Sequence, residues 1–138
     1  MGTLKKNNSN LIAKKVINLE IEALKKLKRS INKNFDQALN AIVNCNSKII
    51  LCGVGKSGLI ASKIASTMSS VGTSAFSLSA NDCLHGDLGS ISKKDLLILI
   101  SNSGKSEELL PIIKFANRNR IKLIGIVSKK DSVLYKAS

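Results

Sequence analysis

The sequence predicts an α/β fold, a parallel sheet of four strands flanked by helices and preceded by two helices. Three observations carry this prediction. Four short strand-like runs, three of them rich in Ile, Leu and Val, alternate with segments of helical period, the pattern of strands joined by helical crossovers. Three of those runs are apolar almost throughout, as parallel strands covered on both faces are. The first of them opens directly into a glycine-rich turn that begins a helix. With 138 residues, 43% of them hydrophobic, one core and one domain are expected over 1–138. Within it, positions 1–46 form a helical lead-in and 47–138 the sheet-forming part.

From Asn10 to Ile31 the residues Leu11, Ile12, Val16, Leu19, Ala23, Leu24, Leu27 and Ile31 recur at steps of three and four with lysines between them, which predicts a long amphipathic helix. A second helix is predicted over Asn34 to Val43, with Phe35, Ala38, Leu39 and Ile42 on one side. The strand candidates follow: Lys48 to Val54, Ser74 to Leu78, Leu96 to Ser101 and Lys122 to Val127. Helices are predicted over Gly58 to Val71 and Ser106 to Asn119, and a helical start over Asp131 to Ala137. Pro111 falls near the first turn of its helix, where a missing N–H is tolerated.

Composition narrows the function. Aromatic residues make up only 3% of the chain, too few for the stacking platforms of a single-strand nucleic-acid binder. Lys and Arg number 22 against 9 Asp and Glu, an excess that attracts phosphates or acidic surfaces. No block of five or six like charges appears, so solvated lysine-rich faces explain the charge as well. No specific nucleic-acid partner is implied. Cys45, Cys52 and Cys83 are odd in number and lack a CxxC spacing, which fits a reducing compartment and gives no metal site. Lys14 and Lys15 interrupt the apolar stretch a signal peptide would need. Gly2 stands where myristoylation requires it, but Lys6 occupies the Ser/Thr position. Runs such as Leu96 to Ile100 are far too short to span a bilayer, so a cytoplasmic chain without membrane partners is expected.

Two loops have the composition of anion sites. The first strand runs into GVGKSG, Gly53 to Gly58, so N–H groups at a helix amino terminus lie above the strand. The spacing matches G-x-G-x-x-G, weak evidence alone, and Ile50 stands where a P-loop would need glycine. A turn needing glycine only for geometry is the alternative, although Lys56 and Ser57 add a cation and a hydroxyl. The third strand ends in SNSGKSEE, Ser101 to Glu108, where Ser101, Ser103 and Ser106 can donate to phosphate oxygens. Ser103 with Ser106 could equally be a capping box. Because ligands of open α/β sheets bind beyond the carboxyl ends of the strands, the two loops are expected to share a pocket. Glu108, in the first turn of the next helix, is placed for chemistry or simply for the helix dipole. His85, the only histidine, sits in an irregular Gly-flanked loop, CLHGDLGSI, Cys83 to Ile91.

GVGKSG, VGTSAF at Val71 to Phe76, LHGDLG at Leu84 to Gly89 and ISNSGKSEE at Ile100 to Glu108 together resemble the sugar isomerase (SIS) domain of bacterial D-arabinose-5-phosphate isomerases. The resemblance covers nearly the whole chain. It implies a three-layer, flavodoxin-like or Rossmann-like fold with five parallel strands, usually followed by two CBS modules. It implies interconversion of D-ribulose 5-phosphate and D-arabinose 5-phosphate, supplying the Kdo sugar of lipopolysaccharide, without a cofactor or an essential metal. Lys56 and Glu108 match family positions implicated in catalysis. Gly72, Thr73 and His85 match substrate-contacting positions, and Ser57, Ser101, Asn102, Ser103 and Ser106 belong to the loops that hold the sugar phosphate. A homo-oligomer is implied, with sites that borrow residues across subunits.

Three departures from the family pattern stand out. Lys105 occupies a position that is commonly acidic or amide. Ser79 replaces a histidine able to bind inhibitory zinc. The chain ends at Ser138, before the EACPLG and SHPGG motifs that contribute a further carboxylate and histidine, so a short, weakly active domain lacking its fifth strand is expected. The alternative is a non-catalytic SIS module that binds a sugar phosphate.

Isomerisation through an enediol needs a base over C1 and C2, an acid for the oxygens and an anchor on the phosphate. The SNSG serines suit the phosphate, Lys56 the enediolate charge, and Glu108 or His85 the protons, without a choice between them.

Overall fold

A computed structural model describes residues 6–138; Gly2, and with it the lipidation position, lies outside the described residues, as does Lys5. Two compact units divide at Gln37 and Ala38. The first contains α1 (Lys6–Ser30) and the start of α2 (Lys33–Val43). Asn32 opens α2, its side-chain oxygen accepting from the Asn34 amide at 2.9 Å, an Asx turn of the kind that starts helices. Along α1 the predicted apolar positions Val16, Leu19, Leu24 and Leu27 are all at least half exposed. Among the described residues no helix is long and apolar enough to cross a membrane.

The second unit, Ala38–Ser138, holds the sheet. Its strands are β1 (Ile49–Gly53), β2 (Ala75–Ser79), β3 (Leu96–Ser101) and β4 (Lys122–Val127), all parallel in the order β2-β1-β3-β4. They alternate with α3 (Lys56–Ser70), α4 (Ala80–Cys83), α5 (Leu109–Asn119) and α6 (Val133–Ala137). Successive side chains of a strand point to opposite faces, so β1 and β3 each feed two cores. Ile49, Leu51, Leu96 and Ile98 pack with Ala61 and Ala65 of α3, joined by Ala41 and Ile42 from the end of α2. On the other face Ile50, Cys52, Leu97 and Leu99 pack with Ile112, Ile113 and Ala116 of α5 and Leu134 of α6. Three layers result, as the sequence predicts. Each large side chain sealed in these cores contributes about 1.5–3 kcal/mol.

Several details differ from the sequence expectation. The fourth strand is the open edge expected without a fifth strand, but it is not covered on both faces as its apolar sequence suggests: Ile126 is exposed and most neighbours are half-buried. The stretch between the second and third strands is not wholly irregular. It folds into α4 and a 3₁₀ turn over Asp87–Ser90, with Ser79 capping α4 through its hydroxyl. The helix after the third strand starts at Leu109 rather than Ser106, which leaves Pro111 within its first turn. Conversely α3 starts two residues early and takes in Lys56 and Ser57.

Candidate functional site

In this strand order the chain leaves β1 for β2 on one side and then returns past β1 to β3 on the other. The gap between the carboxyl ends of β1 and β3 is therefore the topological switch point, where no crossover covers the crevice and open α/β sheets bind ligands. The GVGKSG turn follows β1 and the SNSG loop follows β3. The two loops singled out in the sequence therefore leave adjacent strand ends, Gly53 pairing with Ile100.

Glycine is required at the first loop for contact as well as conformation. A Cβ on Gly53 would lie 2.7 Å from the Ser57 carbonyl carbon, and one on Gly58 would lie 2.8 Å from the Gly53 carbonyl oxygen. Strand end and helix start thus touch backbone to backbone. Gly55, with φ +55°, forms the amino cap of α3 and offers no side-chain cap. Lys56 is exposed beside it and Ser57 half-buried. An uncapped helix start beside an exposed lysine is an electropositive end suited to an anion.

The second loop is wound on its own hydroxyls. Ser101 Oγ, buried at the end of β3, accepts from the Gly104 amide at 3.0 Å and shares a 3.2 Å hydrogen bond with Ser106 Oγ. Ser103 Oγ accepts from the Lys105 amide at 3.3 Å. Neither Ser103 nor Ser106 caps α5, whose amino cap is Glu108 without a side-chain bond. The capping-box alternative is therefore overturned: the helix starts too late for these hydroxyls, which turn into the loop. Glu108 is half-buried and, with Glu107, Pro111 and Leu84, lines a surface hollow. Leu84 neighbours His85, an exposed residue between α4 and the 3₁₀ turn whose amide donates to the Asp82 carbonyl at 2.9 Å. Leu84, the residue before His85, and Glu108 thus line one depression.

Gly72 and Thr73 do not join this group. They follow α3 and precede β2, so in a single chain they lie at the amino end of the sheet, opposite the two loops. Gly72 turns there with φ +89° and open space around it, and the Thr73 amide donates to the Met68 carbonyl at 2.9 Å.

Beneath the site Cys52 and Cys83 are buried and their thiols interact. Burial first, then the neighbouring Cys83, pushes the Cys52 thiol up to about 12; burial and the Asp87 charge raise Cys83. Such thiols are poor nucleophiles. Among the described residues no group of three or more His, Cys, Asp or Glu could hold a metal ion.

A family model described as the SIS domain matches residues 41–138. The chain belongs to the SIS domain family. Over 125 residues this SIS chain is 42% identical to arabinose 5-phosphate isomerase KdsD of Yersinia pestis, a match covering 91% of the chain and 38% of the relative. It is 44% identical over 123 residues to the KdsD of Francisella tularensis, covering 87% of the chain and 38% of that relative. It therefore spans well under half the length of these curated relatives. A solved protein of E. coli CFT073 in complex with arabinose 5-phosphate superposes with a TM-score of 0.91 at 31% identity, covering 97% of this chain and 71% of that one.

One part of this SIS domain's loop cluster was missed in the sequence, the turn after β4. The Ser128 hydroxyl donates to the Asn102 side-chain oxygen at 2.8 Å and its amide to the Asn102 carbonyl at 3.3 Å. Lys105 Nζ lies 3.3 Å from the Asp131 carboxylate, and that ammonium holds the Asp131 carboxyl below the usual range. Ser132 is fully buried and caps α6. The available signal was positional: residues 128–132 follow the fourth strand at the ligand-bearing end of the sheet.

Proposed function

We propose that this SIS domain belongs to a cytoplasmic sugar-phosphate isomerase that interconverts D-ribulose 5-phosphate and D-arabinose 5-phosphate on the route to the Kdo sugar of lipopolysaccharide. The observation that supports the reading is that the GVGKSG and SNSG loops follow adjacent strands at the β1/β3 switch point. The sequence relatives named KdsD support the same substrate. The phosphate sits among Ser57, Ser101, Asn102, Ser103 and Ser106, where hydroxyls and the helix start supply donors. A base removes a proton from C1 of the ketose while an acid protonates O2, giving the enediol. Protonation of C2 and loss of the O1 proton then give the aldose. Lys56 stabilises the charge that develops on the oxygens, and Glu108, which lines the hollow, and His85, next to its lining residue Leu84, move the protons. Gly72 and Thr73, at the opposite end of the sheet, reach substrate from a second copy of the chain, which makes the working unit a homo-oligomer. A strictly monomeric chain in sedimentation at micromolar concentration would contradict that last point.

Enediol formation exchanges carbon-bound hydrogen with solvent, so the test is deuterium incorporation into ribulose 5-phosphate in heavy water, followed by proton NMR. The chain is expected to catalyse exchange, Lys56→Ala to reduce it by about 10²–10³, and Glu108→Gln or His85→Gln to reduce it by about 10²–10⁴, all with unchanged thermal midpoints. Binding of the sugar phosphate without exchange would favour a non-catalytic binding module.

A further inference from the structure

Lys105 belongs to the SNSG loop itself, its amide bonded to Ser103 Oγ, yet its ammonium is turned away to Asp131 in the turn after β4, 3.3 Å distant. Both partners are largely exposed, 58% for the lysine side chain and 75% for the aspartate, and exposed pairs of this kind contribute little to stability. Lys136 also lies near Asp131 and lowers its carboxyl, so the aspartate keeps a cation when Lys105 leaves. The backbone beneath does not depend on the pair. Asn102 and Ser128 hold the loops together through two hydrogen bonds, and the Leu134 amide donates to the Gly104 carbonyl at 3.2 Å. A phosphate dianion in the SNSG loop offers the lysine charge-assisted hydrogen bonds to a doubly charged partner, where Asp131 offers one charge. We propose that Lys105 is a reserve cation for the ligand's phosphate, held by Asp131 in the free protein and transferred to the phosphate on binding, so that Asp131 sets the affinity of the site.

This inference rests on the phosphate reading of the SNSG loop, and the test separates the two. Calorimetry measures the affinity of the full chain for arabinose 5-phosphate and for inorganic phosphate. Lys105→Met should weaken both by about three- to tenfold. Asp131→Asn, in contrast, should tighten both by about two- to fivefold, and this gain should vanish in the Lys105→Met background. An unaltered affinity in Lys105→Met, or a gain from Asp131→Asn that persists without Lys105, overturns the proposal. Ser101→Ala serves as the control: if it weakens phosphate binding while Lys105→Met does not, only the reserve cation fails. If it leaves phosphate binding intact, the phosphate reading itself fails.

Discussion

Asp95 shows how a residue with no motif becomes structural. Its carboxylate accepts from the Ser92 amide at 2.7 Å, the Ser47 hydroxyl at 2.6 Å and the Lys48 amide at 3.3 Å, with Lys48 Nζ 3.8 Å away. It ties the entrance of β3 to the entrance of β1. Burial alone would raise its pKa, but the bonds from Ser47, Ser92 and Lys48 outweigh burial and hold it below the ordinary 3.8. A carboxyl depressed in the folded state stabilises the fold above its unfolded pKa and loses that contribution as pH falls through the folded value. Asp95→Asn is therefore expected to cost about 1–3 kcal/mol at neutral pH, with the difference from wild type shrinking as pH drops below about 4. Urea unfolding at neutral and acid pH checks both parts. None of this was legible in the sequence, because SKKDLL reads as a polar lead-in and two of the three donors lie 47 and 48 positions away. The positions of Lys56 and Ser101 at the carboxyl ends of β1 and β3 were legible, since each stands just beyond a recognisable apolar run.

At the scale of elements, the β1–α3 turn makes the sharpest prediction. Gly58→Ala would set a Cβ 2.8 Å from the Gly53 carbonyl oxygen, a backbone clash that no rotamer relieves. The expected cost is about 1–3 kcal/mol, read as a lower denaturation midpoint together with weaker sugar-phosphate binding as Lys56 is displaced. Gly89→Ala is the comparison, because nothing lies within 4 Å of its Cβ position and its φ is not in the left-handed region. Runs of Ile, Leu and Val placed the strands because burial on two faces demands them, and β1 and β3 follow that rule. For β4 the same rule failed, since Leu123, Ile124 and Ile126 are as apolar as core residues but lie at the sheet edge. Composition records what a strand could bury, whereas strand order decides what it does bury. The starts of α3 and α5 shifted for a related reason: serines and glycines serve caps, turns and loop hydroxyl bonds alike, and only tertiary contacts select among them.

For the whole molecule, the sequence placed the loops that follow β1 and β3 in one crevice because parallel α/β sheets gather their carboxyl-end loops. It could not place Gly72 and Thr73, which are close in sequence to the site loops yet separated from them by the length of a strand. The central claim is that the crevice between β1 and β3 recognises a sugar through its phosphate. The most direct measurement is a titration of the isotopically labelled chain with arabinose 5-phosphate, followed through backbone amide NMR shifts. The account predicts saturating shifts at Gly55 to Gly58 and at Ser101 to Ser106, and no comparable shifts with unphosphorylated arabinose. Equal responses to the two sugars, or shifts that leave both loops untouched, would contradict it.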